Sequence, residues 1–351
     1  MTVIEERFRY EGGSQHDRGW ARILSVVPTI IYTAFDHGQP LGFAGAVGNE
    51  FSTHPITFVM AFRWNIESRE MADWIRQRVA IYRNKNPLHR FIFTCNSYDE
   101  YNLALEVGLE AELINHNMTC DLGLIYPLPG PRLFDAIYNA RLVGWKRHDL
   151  TTALSSCAFI FYRPDYMDGD QIYDEEAEII SRHKQLPGHV FLNRWTPEGP
   201  VRMDYSEVNF ALNSAHVGLC LSSSEGAMQA SIEYLLRGMP VVSTPSRGGR
   251  DWYFSDDFCL TCEPDPSAIA SAVEHLKKKA IPPEYIRATT LAKIEADRDK
   301  FKSVVNDIAL SVGQPRLIGR DWPYERKIMR KGLWANFAEE LKGGLDALVP
   351  N

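Results

Sequence analysis

The sequence lacks long apolar runs. No stretch long enough to cross a bilayer, about 18 apolar residues, occurs in the 351 residues. The first residues, MTVIEERFRYEGG, also lack the apolar core of a signal peptide. We therefore expect a cytoplasmic protein that is neither secreted nor membrane-spanning.

The sequence also has few cysteines and no excess of positive charge. Six cysteines are scattered without a framework spacing, which is typical of reduced thiols. Cys259 and Cys262 have no second pair or neighbouring histidines, so we interpret them as buried strand residues rather than zinc ligands. The net charge of −7 gives no whole-protein footprint for nucleic acid, so a phosphate-bearing ligand must be held locally.

Apolar runs of β type alternate with stretches at helical spacing, which predicts parallel sheets covered by helices. The first series predicts strands at 28–34, 56–62, 90–95 and 111–116, with helices at 67–82 and 98–107. The second predicts strands at 136–138, 158–162, 189–192, 217–221 and 241–244. Between them, Tyr126–Arg132 contains three prolines and a glycine and is interpreted as a linker. These patterns predict an N-terminal α/β domain over 1–128, a C-terminal α/β domain over 129–312 and a helical tail over 313–351 that packs back toward the N-domain.

The most informative segment begins at Ser222. A strand runs into three serines and Glu225-Gly226, and a helix of small residues then stops at Gly238 before Pro-Val-Val. Because helix N-termini expose unpaired N–H groups, the backbone of Gly226, Ala227 and Met228, together with Ser224, is predicted to hold a phosphate. Glu233 lies eight residues after Glu225, or roughly 12 Å at about 1.5 Å per residue, so the two carboxylates are predicted to hold two separate polyols.

This segment resembles the donor-binding core of the family-4-type retaining glycosyltransferases (group 1 glycosyl transferases), in which a Glu-x7-Glu pair precedes Gly-x-Pro-Val-Val and a Gly-Gly loop. The resemblance implies the α/β GT-B fold, with two Rossmann-like domains facing a cleft and, here, a reduced N-terminal domain. It implies that the domain over 1–128 binds the acceptor and that the domain over 129–312 binds the nucleotide-sugar donor. It implies that Glu225 binds the transferred sugar, that Glu233 binds the ribose, and that the backbone of Gly248 and Gly249 approaches the sugar. Upstream, Arg141 and Lys146 match an Arg and a Lys that contact the diphosphate.

The function implied is retaining transfer of a hexose-type sugar from a UDP- or GDP-linked donor to a hydroxyl acceptor. The acceptor class stays open between a glycan, a lipid-linked molecule and a small molecule. No cofactor or metal is expected, because cations fixed in the site can stabilise the departing diphosphate. Two alternatives keep the fold: a sugar-nucleotide epimerase or hydrolase, and a non-catalytic sugar-nucleotide-binding subunit.

Several further positions have two interpretations each. His37 follows a strand at a carboxyl end, where it is either an acceptor-side catalytic group or an ordinary loop histidine. Gly12 and Gly13 either admit donor phosphate or acceptor from the N-domain side or form only a tight turn. The segment of Asn193, Arg194 and Trp195 ends a strand and either meets the nucleotide base or contributes only a packed aromatic.

Two features suggest other ligands. Asp168-Gly-Asp170 imitates a metal-binding motif, but it lies in an acidic stretch that is typical of a solvated surface. The stretch 69–90 holds six Arg or Lys against two acids. An apolar stripe in it either rests on anionic lipid, which would make the protein peripheral on the membrane, or faces the core.

Overall fold

The computed structural model describes residues 17–35, 40–163, 170–324 and 327–348. The chain divides into two compact units, Met1–Cys120 with Glu295–Asn351, and Asp121–Ile294. The first change of unit comes after Cys120, earlier than the predicted boundary after residue 128. The second comes after Ile294, earlier than the predicted boundary after residue 312.

The first unit is built on a mixed sheet. Its strands are β1 (Arg18–Val26), β2 (Thr29–Phe35), β3 (Ile56–Phe62), β4 (His89–Cys95), β5 (Ala111–Leu113) and β14 (Arg330–Leu333). Its helices include α1 (Gly42–Val47), α2 (Arg69–Lys85), α3 (Tyr98–Glu106) and α9 (Trp334–Asp346). Among the described residues the strand order is β14-β1-β2-β3-β4-β5, parallel from β2 to β5 and antiparallel at β1 and β14.

Both faces of this sheet are buried. Ile31 and Phe58 belong to one apolar cluster, and their neighbours Ile30 and Val59 belong to another. Successive residues of a strand point to opposite faces, so a sheet covered on both sides requires nearly continuous apolar strands. This is why the pattern made β2, β3 and β4 readable from the sequence.

Helix α2 begins after Ser68, whose hydroxyl accepts the backbone N–H of Met71 and caps the first turn. The apolar stripe of the helix packs into the first cluster of the core. The stripe consists of Met71, Trp74, Ile75, Val79 and Tyr82. The stripe therefore faces the core rather than lipid, and in the described ranges no helix is both long and apolar enough to cross a bilayer.

The second unit is built on a parallel sheet. Its strands are β6 (Phe134–Asn139), β7 (Cys157–Ile160), β8 (His189–Phe191), β11 (Ala215–Cys220), β12 (Val241–Ser243) and β13 (Cys259–Thr261), with a small hairpin of β9 (Trp195–Thr196) and β10 (Gly199–Pro200). Its helices include α4 (Asp170–Lys184), α5 (Tyr205–Asn213), α6 (Gln229–Leu236) and α7 (Pro266–Lys279), and α8 (Pro283–Ser311) begins here and ends in the first unit.

The strand order of this sheet, β13-β12-β11-β6-β7-β8, creates a switch point. From β6 the chain moves outward through β7 and β8 on one side, and from β11 it moves outward through β12 and β13 on the other. The loops that leave β6 and β11 therefore diverge and open a crevice between them. In open α/β sheets, ligands bind at such a crevice.

Three parts of the predicted pattern were wrong. The strand predicted over 111–116 ends at Leu113, because Asn115 starts a 3-10 turn by accepting the backbone N–H of Asn117. The tail predicted as helical contains β14, which pairs with β1. Strand β1 itself was missed, because most of its residues are only half-buried and no clean alternation marks it.

Candidate functional site

Lys146 and Glu225 meet at the switch point of the second unit. Lys146 lies in the loop after β6, and Glu225 lies in the loop after β11. The Nζ of Lys146 donates to Oε1 of Glu225, and the hydroxyl of Ser222 donates to the same oxygen at 2.5 Å. The two charged side chains are only 8% and 7% exposed. Buried charges need partners, and here Lys146 and Glu225 are partners for each other.

The loop that carries Lys146 is anchored on several sides. The hydroxyl of Tyr138 donates to the carbonyl oxygen of Lys146 at 2.6 Å, and the backbone N–H of Gly144 donates to Glu175 at 2.9 Å. Arg147 takes a left-handed conformation with φ of 55° and donates to the carbonyl of Leu221 at 2.5 Å. The last contact ties the loop after β6 to the loop after β11.

A tryptophan lies beside both predicted diphosphate ligands. The Nζ of Lys146 is 4.2 Å from the ring centroid of Trp145, and the Cζ of Arg141 is 5.3 Å from it. Both distances are within the reach of a cation–π interaction, about 6 Å. The ring therefore stabilises two neighbouring cations that repel one another.

Burial lowers the pKa of Lys146, the Glu225 carboxylate acts to raise it, and the nearby charge of Arg141 lowers it further. The balance leaves the pKa of Lys146 below its usual value. His148, two residues on, packs against Tyr138 with ring centroids 4.8 Å apart. Burial lowers the pKa of His148 to about 3, and the charges of His183 and Lys146 act in the same direction.

Glu233 is held on α6, next to the end of β6. The Nδ2 of Asn139 donates to its Oε2 at 3.0 Å, and the Nε2 of Gln229 donates to its Oε1 at 2.8 Å. Gln229 also reaches the hydroxyl of Tyr205 on α5 at 3.2 Å. Glu233 is buried, so these donors satisfy a carboxylate that has little contact with water.

The helix of this segment begins later than predicted. Gly226 and Ala227 precede α6, which starts at Gln229 after Met228 in an unusual backbone conformation with φ of 26°. The prediction that the three residues 226–228 open the helix is therefore wrong. The helical rise of about 1.5 Å per residue does not apply to the non-helical part of the path from Glu225 to Glu233, so the derivation of the predicted 12 Å separation does not hold.

The glycine loop follows β12. Arg247, within it, forms a short parallel bridge with Ser224, in which the backbone N–H of Glu225 donates to the carbonyl of Arg247 at 3.0 Å. Gly248 has φ of 96°, a conformation that strains any residue with a side chain. The loop therefore reaches the residues beside Glu225 through its backbone, and Gly249 continues it.

Arg250 fixes the base of this loop. It is 1% exposed, and its Nη1 donates to the carbonyl of Ser222 at 2.6 Å while its Nη2 donates to the carbonyl of Thr244 at 2.5 Å. Its Nε donates to Asp251 at 2.7 Å. One guanidinium thus joins the residues that follow β11 to those that follow β12.

Other predicted residues lie elsewhere. Arg194 is exposed and pairs with Glu207 on α5 at 3.1 Å, and no described contact joins it to Lys146 or Glu225. Gly12, Gly13 and His37 lie outside the described residues, as does Asp168.

Sequence reasoning missed most of the residues that support these groups. Asn139 and Arg250 carry no local signal, because polar residues after strands are common. For Trp145 a signal was available, because it is an aromatic residue directly before Lys146, which was predicted to bind the diphosphate.

Comparisons with known proteins agree with this architecture. No protein-family model matches the sequence, and a search of curated protein sequences finds no match. Among solved structures, an alpha,alpha-trehalose 6-phosphate synthase from Burkholderia multivorans matches with a TM-score of 0.53 at 14% identity, over 80% of this chain and 72% of that one. Anabaena HepE, in complex with UDP and glucose, matches with a TM-score of 0.50 at 13% identity, over 74% of this chain and 73% of that one. These neighbours are GT-B glycosyltransferases with two Rossmann-like domains.

The chain has the GT-B fold. A third match, a UDP-forming trehalose-phosphate synthase from Burkholderia vietnamiensis, has a TM-score of 0.51 at 13% identity and covers 80% of this chain and 73% of that one. At such low identity the likeness concerns the fold. The polar residues described above converge at the switch point of the second unit, which is where ligands bind in open α/β sheets.

Proposed function

We propose that the protein is a glycosyltransferase that moves a sugar from a nucleoside-diphosphate sugar to a hydroxyl acceptor. The observation that carries the proposal is the buried Lys146–Glu225 pair at the switch point, with Arg141 beside it. Two cations and a carboxylate in one crevice suit an anion next to a polyol, which is what a sugar diphosphate offers.

The chemistry follows from the charges. When the bond to the sugar breaks, the nucleoside diphosphate leaves with additional negative charge. Lys146 and Arg141, already held in place, stabilise that charge without having to reorganise. Glu225 accepts hydroxyls of the transferred sugar, and Ser222 fixes the orientation of its carboxylate.

The finer features rest on the resemblance of the Glu225–Gly249 segment. We propose a hexose-type sugar, retention of its anomeric configuration by front-face displacement, and no requirement for a metal. HepE was crystallised with UDP and glucose, and the Burkholderia vietnamiensis enzyme is UDP-forming, which favours a uridine nucleotide as the first donor to test.

The test is thermal unfolding with UDP, GDP, ADP and their sugar conjugates. A nucleotide at 100 times its Kd should stabilise the folded protein by about 2.7 kcal/mol, a shift of several degrees in Tm. Glu233→Ala should reduce the shift, because the resemblance assigns this carboxylate to the ribose of the nucleotide. Glu274→Ala, which changes a half-exposed glutamate on α7, should keep the shift.

The absence of a shift with every nucleotide would overturn the proposal. Where a nucleotide binds, turnover of its sugar conjugate with a panel of acceptors separates the alternatives. Release of nucleoside diphosphate that depends on an acceptor supports transfer. Turnover without any acceptor favours a hydrolase or epimerase, and binding without turnover favours a non-catalytic subunit.

A further inference from the structure

Glu233 is fixed at both of its carboxylate oxygens by side chains from two different elements. Asn139 is the last residue of β6, and its amide donates to Oε2 at 3.0 Å. Gln229 is the first residue of α6, and its amide donates to Oε1 at 2.8 Å. Because each oxygen has its own donor, rotation of the carboxylate would break one contact or both.

The two donors are themselves held. The backbone N–H of Asn139 donates to the hydroxyl of Tyr234 at 2.6 Å. The ring of Tyr234 packs directly on Gly218 of β11, where an added Cβ would lie 2.4 Å from it. The amide of Gln229 also donates to the hydroxyl of Tyr205, so a residue of α5 helps to hold it.

A fixed carboxylate recognises a particular pattern of donors. Two adjacent hydroxyls, such as the 2′ and 3′ hydroxyls of a ribose, can donate to the two oxygens of one carboxylate when its plane is aligned with them. A carboxylate that rotates freely must be ordered on binding, and the entropy lost weakens the complex. Alignment therefore matters more for a diol than for a single hydroxyl.

We propose that Asn139 and Gln229 are positioning residues that align Glu233 with the diol of a ribose and so set the discrimination between ribonucleotides and deoxyribonucleotides. The inference rests on the proposed function, since it assumes that a nucleoside diphosphate binds beside Glu233. It goes further in naming the two residues that make the site selective for the sugar of the nucleotide.

The experiment compares the affinity of UDP with that of 2′-deoxy-UDP by isothermal titration calorimetry, with GDP and 2′-deoxy-GDP in their place if guanine proves to be the base. The variants are Asn139→Leu and Gln229→Met, which keep approximate size but remove the donors, and Glu233→Ala. We expect the wild type to bind the ribonucleotide about 10-fold or more tightly, the effect of losing one hydrogen bond to a charged group. Both donor variants should reduce this ratio at least three-fold, through weaker binding of the ribonucleotide, and Glu233→Ala should bring it near one.

Several outcomes decide between the ideas. Gln229 is exposed on its helix, so Gln229→Met keeps the test valid even if Asn139→Leu fails to fold. Tyr205→Phe, which leaves the contact between Gln229 and Glu233 in place, should have a smaller effect than Gln229→Met. The inference would be overturned if the affinity ratio of ribonucleotide to deoxyribonucleotide is unchanged in both donor variants, or if the wild type does not discriminate between the two. The proposed function would still stand in that case, because the nucleotide binds. A wild type that binds no nucleoside diphosphate would instead overturn the proposed function itself.

Discussion

Replacing Lys146 by methionine should destabilise the protein strongly. The substitution keeps an unbranched side chain of similar length and removes only the ammonium group. It leaves the Glu225 carboxylate buried, with the hydroxyl of Ser222 still donating to it. An uncompensated buried charge is among the largest single penalties that a substitution can create.

The magnitude follows from burial. Both side chains are less than one-tenth exposed, at 8% and 7%, so solvent screens them little. Removing one partner of such a pair costs about 3–5 kcal/mol. The double variant Lys146→Met with Glu225→Gln removes both charges, so its cost should fall short of the sum of the two single variants by about 2 kcal/mol.

Urea unfolding followed by circular dichroism and by tryptophan fluorescence measures these free energies, provided that the two signals coincide. Lys342→Met is the matched control. It removes the same group from an ion pair with Glu50, at 2.6 Å, whose side chains are 51% and 45% exposed. Pairs of that kind contribute about 1 kcal/mol or less.

Equal and small effects of Lys146→Met and Lys342→Met would refute the reasoning, because burial would then make no difference to the pair. Additive effects in the double variant would refute it in another way. They would show that Lys146 and Glu225 do not stabilise each other.

Three further predictions concern other buried polar and charged groups. Glu100→Gln should lower the free energy of unfolding by about 1–3 kcal/mol. Each oxygen of this buried carboxyl accepts a backbone N–H, from Ile66 and Asn96, and an amide must turn a donor toward one of them. An unchanged urea midpoint would contradict this. The pKa of His148 is about 3 in the folded protein, below its usual value near 6.5, so its contribution to stability is present above pH 6.5 and is lost as the pH falls toward 3. His148→Phe should therefore reduce the stability lost between pH 7 and pH 4.5 by about 2–3 kcal/mol, and equal losses in variant and wild type would count against the buried neutral ring. Arg250→Lys should lower the unfolding free energy by about 2 kcal/mol or more, because one ammonium cannot replace two guanidinium nitrogens that bond separate carbonyls; a wild-type midpoint would contradict it.

The sequence alone was sufficient for most of the elements. Strand β3 was predicted with the bounds that it has, Ile56–Phe62, and the other long parallel strands were found within a few residues. Their signal is local, since a strand buried on both faces must be apolar along its whole length. Strands β1 and β14 lie at the antiparallel side of the sheet, carry no such run, and were missed.

The candidate residues were also chosen from local patterns, by the order of Glu225, Glu233 and the glycine loop along the chain. What the pattern does not contain is which of them touch. Lys146 and Glu225 are 79 residues apart, and they meet because the sheet places β6 next to β11.

Only the tertiary structure decided how the carboxylates are held. Asn139, Gln229 and Arg250 are ordinary polar residues in the sequence, and their importance comes from distances of about 3 Å across strands and helices that the chain brings together. Periodicity records which side of an element is buried, because burial acts on every second or fourth residue. It does not record hydrogen bonds between elements, because each depends on the position of two distant backbones at once.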